Sequence, residues 1–375
     1  MHVWVYAMNT ELFQDILNID STSGRERKLA DFLAERLLTS KCRLERYDVG
    51  SMEDSVPEGY GCPQNLLFAW GEPRLLFCTH LDTVPPYISP STQSDGIIRG
   101  RGTCDAKGQI FAMYEACLEL ERRGHDGFGL LLLAGEETGS FGAKAFRDAH
   151  PGAEWVVVGE PTDNCMASAA KGTKSFEVTF KGEAFHSGYP QYGCSAVLLF
   201  NDFVNALRSI VFPQDELLGE TTWNIGRLSS DNPQNILSDT LTCRVYFRTT
   251  FESDQMVCNV MKNMAGPEAR LRFGRPRVQD GSDIVAKELA PWQRAMSVTA
   301  LGGDSPTRFE TLEGFQTKPV SFGSDAPQLT NCPKKILCGP GSILVAHRDD
   351  EHIALADLEK AVQNYVEIYE ALVGL

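Results

Sequence analysis

The sequence predicts an α/β protein with a mixed central sheet flanked by helices, interrupted by a smaller α+β domain. Three observations lead there. Over the first 165 residues, short apolar runs bounded by turn residues alternate with stretches of helical period, as in a sheet covered on both faces. After GEPT (159–162) the pattern changes to strands with apolar–polar alternation and two helices. The chain then returns to buried-strand composition and closes on a helix.

The elements follow in order. Ser23 reads as an N-cap, with Glu26 three residues on completing a capping box for a helix whose apolar face is Leu29, Phe32, Leu33 and Leu37. Strand-like runs come at NLLFAW (65–70), RLLFC (74–78), GLLLLA (129–134) and WVVVG (155–159). Between the second and third, AKGQIFAMYEACLELERRG has helical period and stops at Gly124. Past residue 166, SFEVTFKG alternates like a half-exposed strand, CSAVLLFNDFVNALRSI is helical and TLTCRVYFRTT is strand-like. A helix from about Asp254 and strand-like ARLRFG follow. A strand–helix–strand–strand–helix–strand order suggests a small open, ferredoxin-like sheet with both helices on one side. This inserted domain is expected over 166–280, and the first domain over 1–165 and 281–375. The latter resumes with KPVSFGSDAP, KKILCGPG and a last helix from Leu355.

Composition narrows the function classes. With 375 residues, 42% of them hydrophobic, the chain can bury a large core and build two domains. A net charge of -15 argues against a nucleic-acid partner, which normally meets a basic face. Eleven cysteines, an odd number without a CxxC pair, suggest reduced and mostly buried thiols in a cytoplasmic protein. No apolar run approaches the ~20 residues that span a bilayer, so no membrane partner is expected. The N-terminal MHVWVYAMNTELF lacks a basic n-region and a cleavage site, which argues against a signal peptide; Met8 is a second candidate start.

The chemistry gathers where the apolar strands end. RLLFC runs into His80 and Asp82, GLLLLAG into Glu136 and Glu137, and WVVVG into Glu160. Open α/β sheets bind ligands beyond the carboxyl ends of their strands, so these residues can converge on one rim. GRGTCDAKG (100–108) adds Asp105 on a glycine-rich loop that opens a helix, and GPGSILVAHRDDE (339–351) adds His347. The GK[ST] order of a phosphate loop is absent from GRGTCDAKG, which removes nucleotide binding. Imidazoles and carboxylates in this mixture suit divalent ions such as zinc.

THLDTVP, GRGTCDAKG, AGEETGS, VVGEPT, AFHSG and GPGSILVAHRDDE occur in this order along the chain. Together they resemble the acetylornithine deacetylase and succinyl-diaminopimelate desuccinylase family of dizinc amidohydrolases, relatives of aminoacylase and glutamate carboxypeptidase. The resemblance spans essentially the whole chain. FGSDAP (322–327) and the closing motif are most similar to the acetylornithine deacetylase branch.

The resemblance implies a site. His80 and Glu160 would bind one Zn²⁺, Glu137 and His347 a second, with Asp105 between them and a cis peptide at Asp105–Ala106. Co²⁺ is expected to substitute. Asp82 would accept the second imidazole N–H of His80 through its carboxylate; the alternative is a turn cap at Thr83–Val84. Charge counting supports the set. Two Zn²⁺ are balanced by Asp105, Glu137, Glu160 and a hydroxide, leaving Glu136 as an extra carboxylate raised toward neutrality and suited to general-base work.

In the inserted domain, which in relatives pairs two subunits and acts as a lid, the resemblance points to Lys171, Tyr189, Asn235 and Arg248 as substrate-facing. Gly323 and Ser324 of FGSDAP join them. His186 of AFHSG would enter the neighbouring subunit's site of a homodimer; by sequence alone, without the motif, it reads as a turn residue. NILSD departs from the commoner N-V-x-P-D, which loosens the alignment of Asn235. His2, His125, His150 and His352 read as surface or capping groups. The expected activity is hydrolysis of an N-acyl amino acid, foremost N-acetylornithine in arginine biosynthesis. A desuccinylase or a di- or tripeptidase is the alternative on the same site, and a non-catalytic binding protein the alternative of another class.

Overall fold

The computed structural model describes residues 8–92, 96–265, 269–272, 275–278 and 289–373. The expectations for residues 1–7, for Phe273 and Gly274, and for a boundary at residue 280 fall outside them. The chain forms two compact units. One comprises Met1–Ser168, Arg308–Lys318 and Ser324–Leu375, the other Ala169–Thr307 and Pro319–Gly323.

The first unit opens with helices α1 (Thr10–Leu17) and α2 (Arg27–Arg36) and strands β1 (Arg43–Asp48), β2 (Gln64–Trp70) and β3 (Leu75–His80). Helix α3 (Lys107–Arg122), β4 (Phe128–Leu133), α4 (Phe141–Ala149) and β5 (Trp155–Val158) follow. The second unit holds β6 (Gly172–Lys181), α5 (Ala196–Arg208), β7 (Thr222–Ser229), β8 (Thr240–Thr249), α6 (Asp254–Met264) and β9 (Met296–Gly302). The chain then completes the first unit with β10 (Lys334–Leu337) and α7 (Leu355–Leu372).

The first unit's sheet has six strands in the order β1-β2-β4-β3-β5-β10. Strands β1, β2 and β4 pair antiparallel, while β4, β3, β5 and β10 run parallel. Every residue of β3 and β4 is buried. Alternate side chains (Leu66, Phe68, Leu75, Phe77, Leu130, Leu132, Val157) join one core with α1, α2, α3 and α7. Those of opposite parity, such as Leu67, Leu76, Leu131 and Val156, are equally buried. That double burial explains the unbroken apolar runs. Each such leucine contributes about 1.5–3 kcal/mol by leaving water.

The second unit's sheet, in the order β7-β8-β6-β9, is antiparallel throughout. Phe176, Val178 and Phe180 of β6 and Leu241, Cys243, Val245 and Phe247 of β8 pack against α5 and α6 on one face. The fourth strand is Met296–Gly302. The 269–272 segment instead forms a two-stranded ribbon with 275–278. Strand β7 carries no strict alternation, because most of its residues are exposed or half-exposed.

All eleven cysteines are free thiols, six of them buried. Among the described residues, no helix is long and apolar enough to cross a membrane.

Where α3 begins, backbone meets backbone. A Cβ built on Gly108 would stand 2.2 Å from the carbonyl oxygen of Thr103, in the loop that carries Asp105. Gly108→Ala should therefore cost ~1–3 kcal/mol of stability through overpacking. This would be read as a lowered denaturation midpoint; an unchanged midpoint would refute the close approach.

Candidate metal centre

Parallel pairing levels three strand ends. His80 is paired with Leu133, and Cys78 with Val158. The chain therefore leaves β3, β4 and β5 on one edge of the sheet. His80 and Asp82, Glu136 and Glu137, and Glu160 follow there, on the rim where parallel sheets hold ligands.

Asp105 lies between two imidazoles. Its Oδ1 is 3.1 Å from Nε2 of His80 and its Oδ2 is 3.3 Å from Nε2 of His347. His347 Nε2 is also 2.9 Å from Oε1 of Glu137. Ligand atoms of His80, Asp105 and Glu137 lie within 4.8 Å of one another, so these three can share one ion. Glu160 is buried beside this group without belonging to that close triplet. The peptide between Asp105 and Ala106 is cis. His347 holds φ at 64°, a left-handed conformation that costs a non-glycine residue ~1–3 kcal/mol and recurs at functional sites.

Asp82 works differently from the expectation. The nearest acceptor for His80 Nδ1–H is the Asp82 main-chain carbonyl at 2.9 Å, while the carboxylate oxygen is 3.5 Å away. With its proton on Nδ1, His80 offers Nε2 as a ligand atom. The Asp82 carboxylate instead accepts the N–H of Glu136 at 3.0 Å, that of Glu137 at 3.2 Å and the hydroxyl of Ser23 at 2.9 Å. A fully buried carboxylate is costly unless several donors satisfy it, and this turn supplies them. The expected capping box is absent. Helix α2 starts at Arg27 with Glu26 at the N-cap position and no side-chain cap, while the Ser23 hydroxyl donates to Asp82. Glu26 is buried, and its pKa is pushed up to about 7 by that burial and by Asp82.

Electrostatics set the proton affinities of the rim. Burial pushes the Glu136 carboxyl well above the usual range; His80 opposes this, while Glu160, Asp325 and Glu137 add to it. Glu160 is raised likewise by burial and by Asp105. Burial favours a neutral His80, yet the Asp105 and Asp82 carboxylates raise it well above its ordinary value. Asp105 and Glu137 raise His347 to about 10. This donor set of imidazoles and carboxylates around a charge deficit fits divalent metal ions.

One residue at the rim escaped the sequence reading. Asp325 is buried and acts on both Glu136 and Glu160. The available signal was a carboxylate inside FGSDAP, next to two residues already singled out. Ser324 is buried as well, and its Oγ accepts the N–H of Ala326 at 3.3 Å.

The second unit holds the other predicted residues in two groups. His186 and Tyr189 have ring centroids 5.8 Å apart, and the Asn235 carbonyl accepts the Ser187 N–H at 2.9 Å. His186 Nδ1 accepts the Gly188 N–H at 3.0 Å. All three residues are exposed. The guanidinium of Arg248 lies 5.1 Å from the Tyr246 ring centroid and close to Gly323. Lys171 donates to the Glu220 carbonyl; burial and the nearby Arg248 lower its pKa.

The chain is similar to known proteins over almost its whole length. A probable carboxypeptidase of Aspergillus niger is 32% identical over 395 residues, covering 96% of this chain and 88% of its own. The tripeptidase structure from Staphylococcus aureus superposes with a TM-score of 0.76 at 20% identity, covering 98% of both chains. A Bacillus subtilis protein described as a dinuclear metal binding peptidase gives a TM-score of 0.65 at 12% identity, covering 97% of both. These two likenesses show the fold. The model of peptidase family M20/M25/M40 matches residues 76–371. The chain belongs to that family, and is thereby a hydrolase of its metal-dependent peptidase and amidohydrolase kind.

Proposed function

We propose that the protein hydrolyses the amide bond of an N-acyl amino acid, foremost N-acetylornithine, as a cytoplasmic homodimer with two Zn²⁺ per subunit. The observation that carries this reading is Asp105, whose two oxygens each face a different imidazole. That arrangement suits a carboxylate shared by two ions. His80 and Glu160 would then hold one, and Glu137 and His347 the other. When bound, the ions supply Lewis acidity that polarises the scissile carbonyl and acidifies the attacking water.

The chain's own groups do the rest. Glu136, with its raised pKa, takes the proton from the water and delivers it to the leaving amine nitrogen. Asp82 holds the Glu136–Glu137 turn through two N–H groups and orients His80 through its carbonyl. Lys171 and Arg248 offer positive charge suited to a substrate carboxylate. Tyr189, Asn235, Gly323 and Ser324 complete the substrate-facing set, and His186 donates to the oxyanion of the neighbouring subunit's site.

A second reading is hydrolysis of short peptides. It is favoured by the relative named a probable carboxypeptidase and by the neighbour named a tripeptidase. Both substrates present an amide bond next to an amino acid, so one pocket wall can decide between them. A panel of N-acetyl and N-succinyl amino acids, dipeptides and tripeptides separates them. The highest kcat/KM is expected for N-acetylornithine. A better peptide substrate would replace the substrate but keep the chemistry, and no turnover of any member would remove the enzyme reading.

Chelation should abolish turnover, and added Zn²⁺ or Co²⁺ should restore it; full activity in metal-free protein would sink the metal assignment. Glu136→Gln should retain metal, measured by elemental analysis, yet lose about 10²–10⁴-fold in kcat. His80→Ala should lose metal itself. The reverse pattern, with Glu136→Gln losing metal, would exchange the roles of base and ligand. His186→Ala and Glu136→Ala dimers, each inactive, should regain about a quarter of wild-type activity when refolded together, since about half the dimers then carry one whole site. No recovery would place His186 in its own subunit's chemistry.

A further inference from the structure

Arg101 and Glu351 form an ion pair sealed from solvent, with side-chain exposures of 1% and 0%. Glu351 Oε2 accepts Arg101 Nη1–H at 2.6 Å. Its Oε1 accepts the backbone N–H of Cys104 at 3.0 Å and of Asp105 at 3.1 Å. Arg101 also donates from Nη1 to the Arg348 carbonyl at 3.1 Å and from Nε to the Pro86 carbonyl at 3.2 Å. The Gly100 N–H donates to the Glu351 carbonyl at 3.0 Å. The 100–105 loop ends in the carboxylate that faces both imidazoles. The 348–351 segment directly follows His347. These bonds strap one to the other.

Stability alone is a poor account of such a pair. Desolvating two charges costs several kcal/mol, and apolar replacements of similar volume are often as stable. A buried pair with every acceptor used does, however, fix register between two segments. We infer that Arg101 and Glu351 are positioning residues that set Asp105 against His347 before any metal binds. This inference rests on the metal-centre reading above. It assigns the strap to the metal-free protein, so that the ions enter a frame already built.

Hydrogen exchange read by mass spectrometry on wild-type protein tests it without any substitution. In the metal-free state, the amides of Cys104 and Asp105 should already be protected and should change little when Zn²⁺ is added. Free exchange that becomes protected only on loading would overturn the inference, because the ion would then be building the strap. Variants add a second arm. Glu351→Gln should lose that protection in the metal-free state. Its Zn²⁺ affinity, measured by competition with a chromophoric chelator on folded protein, should fall about 10–100-fold. Arg101→Lys keeps the charge but has a single donor group, and should fall between wild type and Glu351→Gln. It stands in should Glu351→Gln not fold. A variant that melts earlier yet binds Zn²⁺ with wild-type affinity would make the pair merely structural and defeat the proposal. Wild type that binds no Zn²⁺ would defeat the metal-centre reading instead, while its exchange pattern would still report on the strap.

Discussion

Like charges cannot be gathered below a protein surface without something to balance them. Asp105, Glu137 and Glu160 crowd one edge of a buried sheet with Glu136 and Asp325 beside them, and the imidazoles of His80 and His347 face Asp105 there. The surrounding structure is organised around that imbalance. Backbone N–H groups and Ser23 are committed to Asp82, so those donors do not reach the other carboxylates of the rim. Burial and mutual repulsion lift Glu136 and Glu160, while the imidazoles hold Asp105 low. One rim thus contains carboxyl groups with opposed proton affinities, the condition under which neighbouring acids take different roles.

Much of this was legible because the chemistry sits where strands stop. A six-residue apolar run must end at the sheet edge, and a polar residue just past it can only lie on the rim. That argument located His80, Glu136, Glu137 and Glu160 from sequence, and the parallel register of β3 with β4 and β5 explains why it works. Asp105 and His347 lie outside any strand, and only their motifs pointed to them.

What stayed hidden was set by tertiary competition. Ser23 and Glu26 fit the local wording of a capping box, but a buried carboxylate fifty-nine positions away in sequence takes the hydroxyl. The second unit's edge strands, Thr222–Ser229 and Met296–Gly302, are largely exposed, so no alternation marks them, whereas central β6 and β8 show it plainly. The Asp82 carbonyl lies nearer His80 Nδ1 than its carboxylate does, because backbone direction at the end of β3 decides the matter and side-chain identity carries no record of it.

The centre is also discontinuous along the chain. His347 meets Glu137 from 210 positions away in sequence, and Arg101 meets Glu351 from 250. Synthesis proceeds from the N-terminus, so His80, Asp105, Glu136, Glu137 and Glu160 all leave the ribosome long before His347 exists. For that interval the nascent first unit lacks β10 and α7 as well, and its acidic rim has neither its last imidazole nor its strap. The candidate centre therefore draws on segments from His80 to His347, and loss of residues 346–375 would remove His347 along with the helix that closes the core.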